Sequence, residues 1–328
     1  MVKALLEDRY GLIVNSAERS SVGAGSELYF VNCAEGRYVV KFPSENEMNN
    51  IESEIKLCSF LLENNISACR FVRNTDGDYL THDRTGRIFH VQKFIDGMVY
   101  DWNTAPEWLM TQSAEMLGRI HLALENYSGL NVGIGESFFE FMTPENASES
   151  YKRSLKTAIT IGDVRNADDL YYRLELMKRF PKYCFDMKKL SCKATHGDFF
   201  ISQLICGDKK INAVIDWTSA CVHPVVWEIM RSYVYASPEC AHGVIDIEKI
   251  SEYFKAYMSV SKLNAYDLEK AAELFYYQLA VCDYYGQYYG SSAINRDFFM
   301  RQAQLSTVML KWFEKNIDRL TEKLIKLI

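Results

Sequence analysis

At Gly97 the hydrophobic period of this chain changes, and that change limits it to folds that keep sheet and helix in separate regions. Before it, short runs rich in Val and aromatics alternate with turn residues. Glu27–Asn32 and Arg37–Phe42 flank Cys33-Ala34-Glu35-Gly36, a hairpin signal, and Asp78–Thr81 and Ile88–Phe94 flank a polar turn containing Gly86. Between the two pairs, Glu47–Glu63 carries Ile51, Ile55, Cys58, Leu61 and Leu62 at three- and four-residue spacing, which predicts one helix. After Gly97 the reading is helical over Trp108–Glu125, 148–190, 224–236, 246–258, 267–289 and 296–326. One hairpin interrupts it: Leu204-Ile205-Cys206, the turn Gly207-Asp208-Lys209-Lys210, then Ile211–Ile215. The fold class is α+β with two lobes. A small antiparallel β-rich lobe with one helix covers 1–93, a connector covers 94–97, and a large, mainly helical lobe covers 98–328. A ligand is expected in the cleft between the lobes.

A chain of 328 residues with 48% hydrophobic and 24% charged side chains has enough apolar material for such lobes. The formal net charge of −6 and the lack of any Lys/Arg cluster interleaved with aromatics argue against nucleic acid. They sit more easily with a neutral or cationic small substrate. Nine scattered cysteines without a CxxC pair read as reduced thiols. The start, Met1-Val2-Lys3-Ala4-Leu5-Leu6-Glu7-Asp8, meets charge too early for a signal peptide, and no uncharged apolar run reaches the roughly 18–20 residues of a membrane span. The expectation is a cytoplasmic protein with no membrane, nucleic-acid or protein partner.

Chemistry concentrates in Thr195-His196-Gly197-Asp198-Phe199-Phe200-Ile201-Ser202-Gln203, followed across the hairpin by Ala213-Val214-Ile215-Asp216-Trp217. A hairpin doubles the chain back, so Asp198 and Asp216 should emerge at one end with Gln203 nearby. Phosphoryl transfer needs one carboxylate to orient the attacking hydroxyl and accept its proton, and oxygen ligands for Mg²⁺. Asp198 suits the first role and Asp216 the second. Either aspartate alone would read as a turn residue or a strand cap; the pair across a hairpin does not.

His-Gly-Asp, four residues, an amide, a hairpin and Val-Ile-Asp-Trp together resemble the aminoglycoside phosphotransferase and choline kinase family, which also includes homoserine and methylthioribose kinases. The resemblance spans roughly residues 20–240 and implies a protein-kinase-like fold, a Mg²⁺ cofactor, and ATP or GTP as phosphoryl donor. It makes Asp198 the catalytic carboxylate, and Asp216 and Gln203 the metal ligands. Gln203 departs from the Asn usual there, so an alternative is a nucleotide-binding pseudokinase scaffold. The resemblance also implies that Lys41, a lysine within an apolar strand, grips nucleotide phosphates and is ordered by Glu54, with Glu52 as competitor. Ser21-Val22-Gly23-Ala24-Gly25-Ser26 resembles the nucleotide-covering loop, in which Gly23 and Gly25 let backbone N–H groups approach phosphates and Ser26 adds a hydroxyl. Gln92-Lys93-Phe94-Ile95-Asp96-Gly97 resembles the connector beside the nucleotide base, with Gln92 and Phe94 as candidate contacts.

His121 is read as a structural histidine and His196 as an organiser of the catalytic loop. Trp227-Glu228-Ile229 stands where the family has an Asp-Leu-Ala-like loop support. Tyr276, Tyr277, Asp283, Tyr284, Tyr285, Tyr288 and Tyr289 read either as packing or as an aromatic site for a cationic acceptor with Asp283 as its carboxylate. The expected activity moves the γ-phosphoryl group of ATP or GTP to a hydroxyl of a small metabolite or aminoglycoside-like acceptor. A protein kinase is disfavoured, because no activation segment is identifiable between Asp216 and Trp227.

Overall fold

The computed structural model describes residues 2–20, 26–102, 104–291 and 293–328. The chain forms two compact units, Met1–Val99 with Gln203–Ser219, and Tyr100–Ser202 with Ala220–Ile328.

In the first unit, α1 (Val2–Tyr10) precedes the strands β1 (Val14–Arg19), β2 (Glu27–Cys33) and β3 (Gly36–Phe42). Then follow α2 (Glu45–Met48), α3 (Ile51–Glu63), β4 (Phe71–Val72), β5 (Leu80–His82) and β6 (Ile88–Lys93). The strands form one sheet in the order β1-β2-β3-β6-β4, with β5 also on β6, and all pairs are antiparallel. Strand alternation sends Val31, Tyr38, Val40, Phe42, Phe89 and Val91 into a core shared with Val2, Leu5 and Leu6 of α1. The same alternation turns Lys41 the other way, with His90 as its cross-strand partner.

Three differences from the sequence reading have local causes. α1 and β1 lack a strong period, and both are present. The single helix expected over Glu47–Glu63 is two, because Asn49 and Asn50 break it: Asn49 ends α2 and Asn50 stands just before α3. The hairpin of Leu204–Gly207 with Lys210–Val214, grouped with the helical lobe in the sequence reading, packs with the first unit. Met98 and Cys206 exchange two backbone hydrogen bonds of 2.8 Å, and Val214 N–H donates to the Ser67 carbonyl at 3.0 Å. Gly97 permits this approach: its φ is +152°, and a Cβ there would lie 2.6 Å from the Cys206 carbonyl oxygen.

The second unit is mainly helical: Glu107–Ala123, Glu136–Phe141, Pro144–Ile161, Val164–Arg179, Val225–Val234, Ile247–Met258, Ala265–Val281, Tyr284–Gly290 and Ala293–Ile325. A two-stranded ribbon pairs Cys192–Thr195 with Cys221–Pro224. The helical stretch expected over 148–190 is interrupted at Gly162, which has φ +72°, after which Asp163 caps the next helix by accepting the Asn166 N–H. The 267–289 stretch breaks at Cys282-Asp283, and Asp283 caps the short helix that follows. Buried Arg173 ties these helices together by donating to Thr307 Oγ1 at 3.0 Å, Tyr151 Oη at 2.7 Å and the Leu279 carbonyl at 3.2 Å. Among the described residues no helix is long and apolar enough to cross a membrane.

Candidate active site

Lys41 is the charged centre of the first unit. Its Nζ lies 2.7 Å from Glu47 Oε1 and 3.6 Å from Asp216 Oδ1, and its side chain is only 13% exposed. Burial alone would lower its pKa, but the charges of Asp216, Glu54 and Glu47 outweigh that and raise it, so the ammonium is held charged.

The sequence reading paired Lys41 with Glu54, and here the structure differs: Glu47 forms the ion pair. Ser44-x-x-Glu47 is a capping pattern, and the Ser44 N–H donates to Glu47 Oε2 at 2.9 Å, folding that carboxylate back to the start of α2. The Ser26 hydroxyl donates to the same oxygen. Burial pushes the Glu47 carboxyl up, but Lys41 and these donors more than offset it and lower its pKa. Glu54 instead lies 2% exposed on α3, and its Oε1 accepts the Trp217 N–H at 3.2 Å. Its Oε2 has no hydrogen-bond partner among the described residues. Burial raises the Glu54 pKa to about 7 although Lys41 opposes it.

Asp216 is one of the few non-glycine residues at positive φ, +64°, a costly conformation that the surroundings must hold. The Glu54 bond to Trp217 N–H holds it from one side. From the other, Trp217 Nε1 donates to the Val214 carbonyl at 3.0 Å and Thr218 Oγ1 to Asp216 Oδ1 at 3.1 Å. Gln203, 9% exposed, sits across the same open end of the hairpin ladder, where its carbonyl accepts the Ile215 N–H at 3.0 Å. Asp216 and Gln203 thus offer hard oxygen donors from adjacent strand ends. This fits a small divalent cation that takes one or two protein oxygens and completes its shell with phosphate and water.

Of the other nucleotide-side candidates, Gly23 and Gly25 lie outside the described residues. Gln92 is half-buried in β6 opposite Val39 and Phe71. The Phe94 ring packs edge-on to Phe30 at 5.8 Å, with the Arg37 guanidinium 4.4 Å over it, and the Phe94 N–H is spent on the Arg37 carbonyl.

In the second unit, Asp198 follows Gly197, which has φ +80°. Glu228 organises this loop. It is fully buried, accepts the His196 N–H at 3.3 Å and the Gly197 N–H, and pairs with His121 Nε2 at 2.8 Å. The other His121 nitrogen bonds Tyr257 Oη at 2.8 Å, so both ring nitrogens are satisfied, as a structural histidine requires. Burial pushes the Glu228 carboxyl up, yet the hydrogen bond and charge of His121 outweigh it and lower its pKa. The His196 ring accepts the Asp198 N–H at 3.3 Å through Nδ1. Arg231 donates from Nη2 to Asp198 Oδ1.

Three tyrosines of the tyrosine-rich segment are core packing. Tyr276 and Tyr277 are buried against Phe180 at 5.1 and 5.9 Å, and Tyr285 is fully buried. The Asp283 carboxylate is engaged by the Gly286 N–H and the Ser150 hydroxyl. These contacts account for Tyr276, Tyr277, Tyr285 and Asp283 without a ligand.

Sequence reasoning missed Glu47, Arg231 and His90. The capping pattern Ser44-x-x-Glu47 was a usable signal for the first. Arg231 and His90 leave no local signature, because each is defined by a partner distant in sequence.

A kinase-like fold is what these elements define, and solved structures share it. A microcompartment-associated aminopropanol kinase superposes with TM-score 0.63 at 12% identity, covering 98% of both chains. An amicoumacin kinase in complex with AMP-PNP, Ca²⁺ and Ami superposes with TM-score 0.62 at 14% identity, covering 93% of this chain and 91% of that one. The homoserine kinase of Methylobacillus flagellatus is 23% identical over 244 residues, 74% of this chain and 70% of that protein. The model of the phosphotransferase enzyme family matches residues 16–255, and the chain belongs to that family. It is a small-molecule kinase.

Proposed function

We propose that this kinase transfers the γ-phosphoryl group of Mg²⁺-bound ATP or GTP to a hydroxyl of a small metabolite. The observation that carries the reading is Lys41, a buried ammonium beside Asp216, whose backbone is held at positive φ. In this reading Lys41 steadies the nucleotide phosphates, with Glu47 rather than Glu54 fixing it. Asp216 and Gln203 hold the metal, which when bound neutralises charge on the phosphates. Ser26, at the end of the glycine segment, contributes near the phosphates through its link to Glu47. Gln92, Phe94 and the backbone of 94–97 flank the base.

The Asp198 carboxylate accepts a hydrogen bond from the acceptor hydroxyl. The acceptor oxygen forms its bond to the γ-phosphorus as the bond from phosphorus to the β–γ bridging oxygen breaks. The nucleoside diphosphate leaves with that bond's electron pair, and Asp198 takes the proton. Little covalent chemistry is asked of the protein, so alignment and charge supply the rate.

For the acceptor, the printed substrates of relatives define a first panel: homoserine, aminopropanol and amicoumacin. The test is nucleoside-diphosphate release from Mg·ATP and Mg·GTP with each panel member. Acceptor-dependent release that disappears in Asp198→Asn supports the reading. Release that survives in that variant removes Asp198 from its role. Nucleotide binding without turnover on any acceptor, restored by Gln203→Asn, favours the scaffold alternative.

A further inference from the structure

Arg231 has no role in the reading above, and its surroundings are unusual. It projects from the helix Val225–Val234 and is only 17% exposed. Its guanidinium carbon lies 5.2 Å from the Phe200 ring centroid and 4.6 Å from that of Tyr235. Tyr235 is itself backed by Trp102, stacked at 6.2 Å. Nη2 donates to Asp198 Oδ1, while Nη1 is shielded from solvent and has no hydrogen-bond partner among the described residues.

As a device for stability this is a poor arrangement. A guanidinium taken out of water costs several kcal/mol unless all its donors are matched, and apolar side chains of similar volume often replace such groups without loss. A methionine would pack against the same two rings. The Asp198 side chain is 32% exposed, so removing the arginine would leave a carboxylate that water still reaches. What methionine could not do is hold that carboxylate. The adjoining Phe200 and Tyr235 rings, 6.0 Å apart, limit how the guanidinium can swing, and a charge-assisted bond transmits that restriction to Oδ1. With Oδ1 fixed, the position of the second oxygen is fixed as well.

We propose that Arg231 is a positioning residue, packed against the adjoining rings of Phe200 and Tyr235, that sets the orientation of the Asp198 carboxylate toward the acceptor hydroxyl. The proposal rests on the kinase reading of Asp198. It predicts that Arg231 affects turnover and spares nucleotide binding, because its contacts are with Asp198 and with rings of its own unit.

The test compares wild type, Arg231→Met, Arg231→Lys, Asp198→Asn and the double variant Asp198→Asn/Arg231→Met. Turnover is read on the fastest acceptor of the panel and as hydrolysis of Mg·ATP by water, with thermal melting alongside. Arg231→Met should lower kcat by about 10²-fold, the scale of an ångström-sized misplacement. Its nucleotide KM should stay within about twofold and its melting temperature should hold or rise, as expected when a buried charge is exchanged for an apolar side chain. Arg231→Lys, which keeps the charge without the planar fork, should recover part of the loss. The double variant should be no slower than Asp198→Asn. Unchanged kcat in Arg231→Met would overturn the proposal alone. So would a loss of kcat that comes with a matching loss of nucleotide affinity and melting temperature. Undiminished turnover in Asp198→Asn would remove the kinase reading of that residue, and the proposal with it.

Discussion

His90 should make the folded protein acid-sensitive by an amount that can be worked out in advance. It is completely buried in β6, opposite Lys41, and neither ring nitrogen has a hydrogen-bond partner among the described residues. Burial first, and the charge of Lys41 second, lower its pKa from the usual 6.5 to about 3. The sign follows from proton uptake: below 6.5 the unfolded chain binds a proton that the folded chain refuses, so stability present above that pH drains away down to about pH 3. Each pH unit in the window is worth about 1.4 kcal/mol, so at about pH 5 the loss is about 2 kcal/mol. The perturbation is His90→Met, which fills the site and does not titrate, and the assay is urea unfolding near pH 7.5 and near pH 5. Wild type should lose about 2 kcal/mol more than the variant between the two conditions. Parallel losses would refute the reasoning and mean that His90 is solvated or partnered in the folded state. The neutrality also matters for the site, because an imidazolium there would place a second cation across from the lysine assigned to phosphate.

Four further outcomes are expected. Gly97→Ala should cost about 1–3 kcal/mol by driving a methyl group into the Cys206 carbonyl at 2.6 Å, and an unchanged melting temperature would contradict that packing. Glu47→Gln should raise the nucleotide KM about tenfold, since a charge-assisted hold on Lys41 is worth about 1.5 kcal/mol. Glu54→Gln, which still accepts the Trp217 N–H, should leave that KM within about twofold; the reverse order in steady-state kinetics would restore Glu54 as the lysine's partner. Glu228→Ala strands two loop N–H groups and the buried His121, so denaturant unfolding should show a loss of about 3 kcal/mol or more, and a loss below about 1 kcal/mol would remove Glu228 as the support of the Asp198 loop.

The architecture was legible in the sequence where period and turn chemistry agreed: the β2–β3 hairpin, the Asp198–Asp216 segment and the amphipathic helices read directly. It was less legible where one residue ends an element. Asn49-Asn50, Gly162 and Cys282-Asp283 break helices whose apolar spacing continues across them, so periodicity alone merges the pieces. The site shows the same division. Lys41 stands out because a charge interrupts an apolar strand, whereas choosing between Glu47 and Glu54 depends on where the chain turns after Phe42. Spacing favoured Glu54, and the capping of Ser44 by Glu47 decided otherwise. Tyr276, Tyr277 and Asp283 show the converse. Their composition suggested a ligand, and packing and helix capping account for their contacts.

The most direct test of the central claim is calorimetric titration of Mg·ATP and Mg·GTP into wild type and Asp216→Ala, repeated with the metal chelated. At least one nucleotide should bind in a way that needs the divalent cation and is lost in the variant. Nucleotide affinity that is the same with and without the metal, and the same in Asp216→Ala, would contradict the claim.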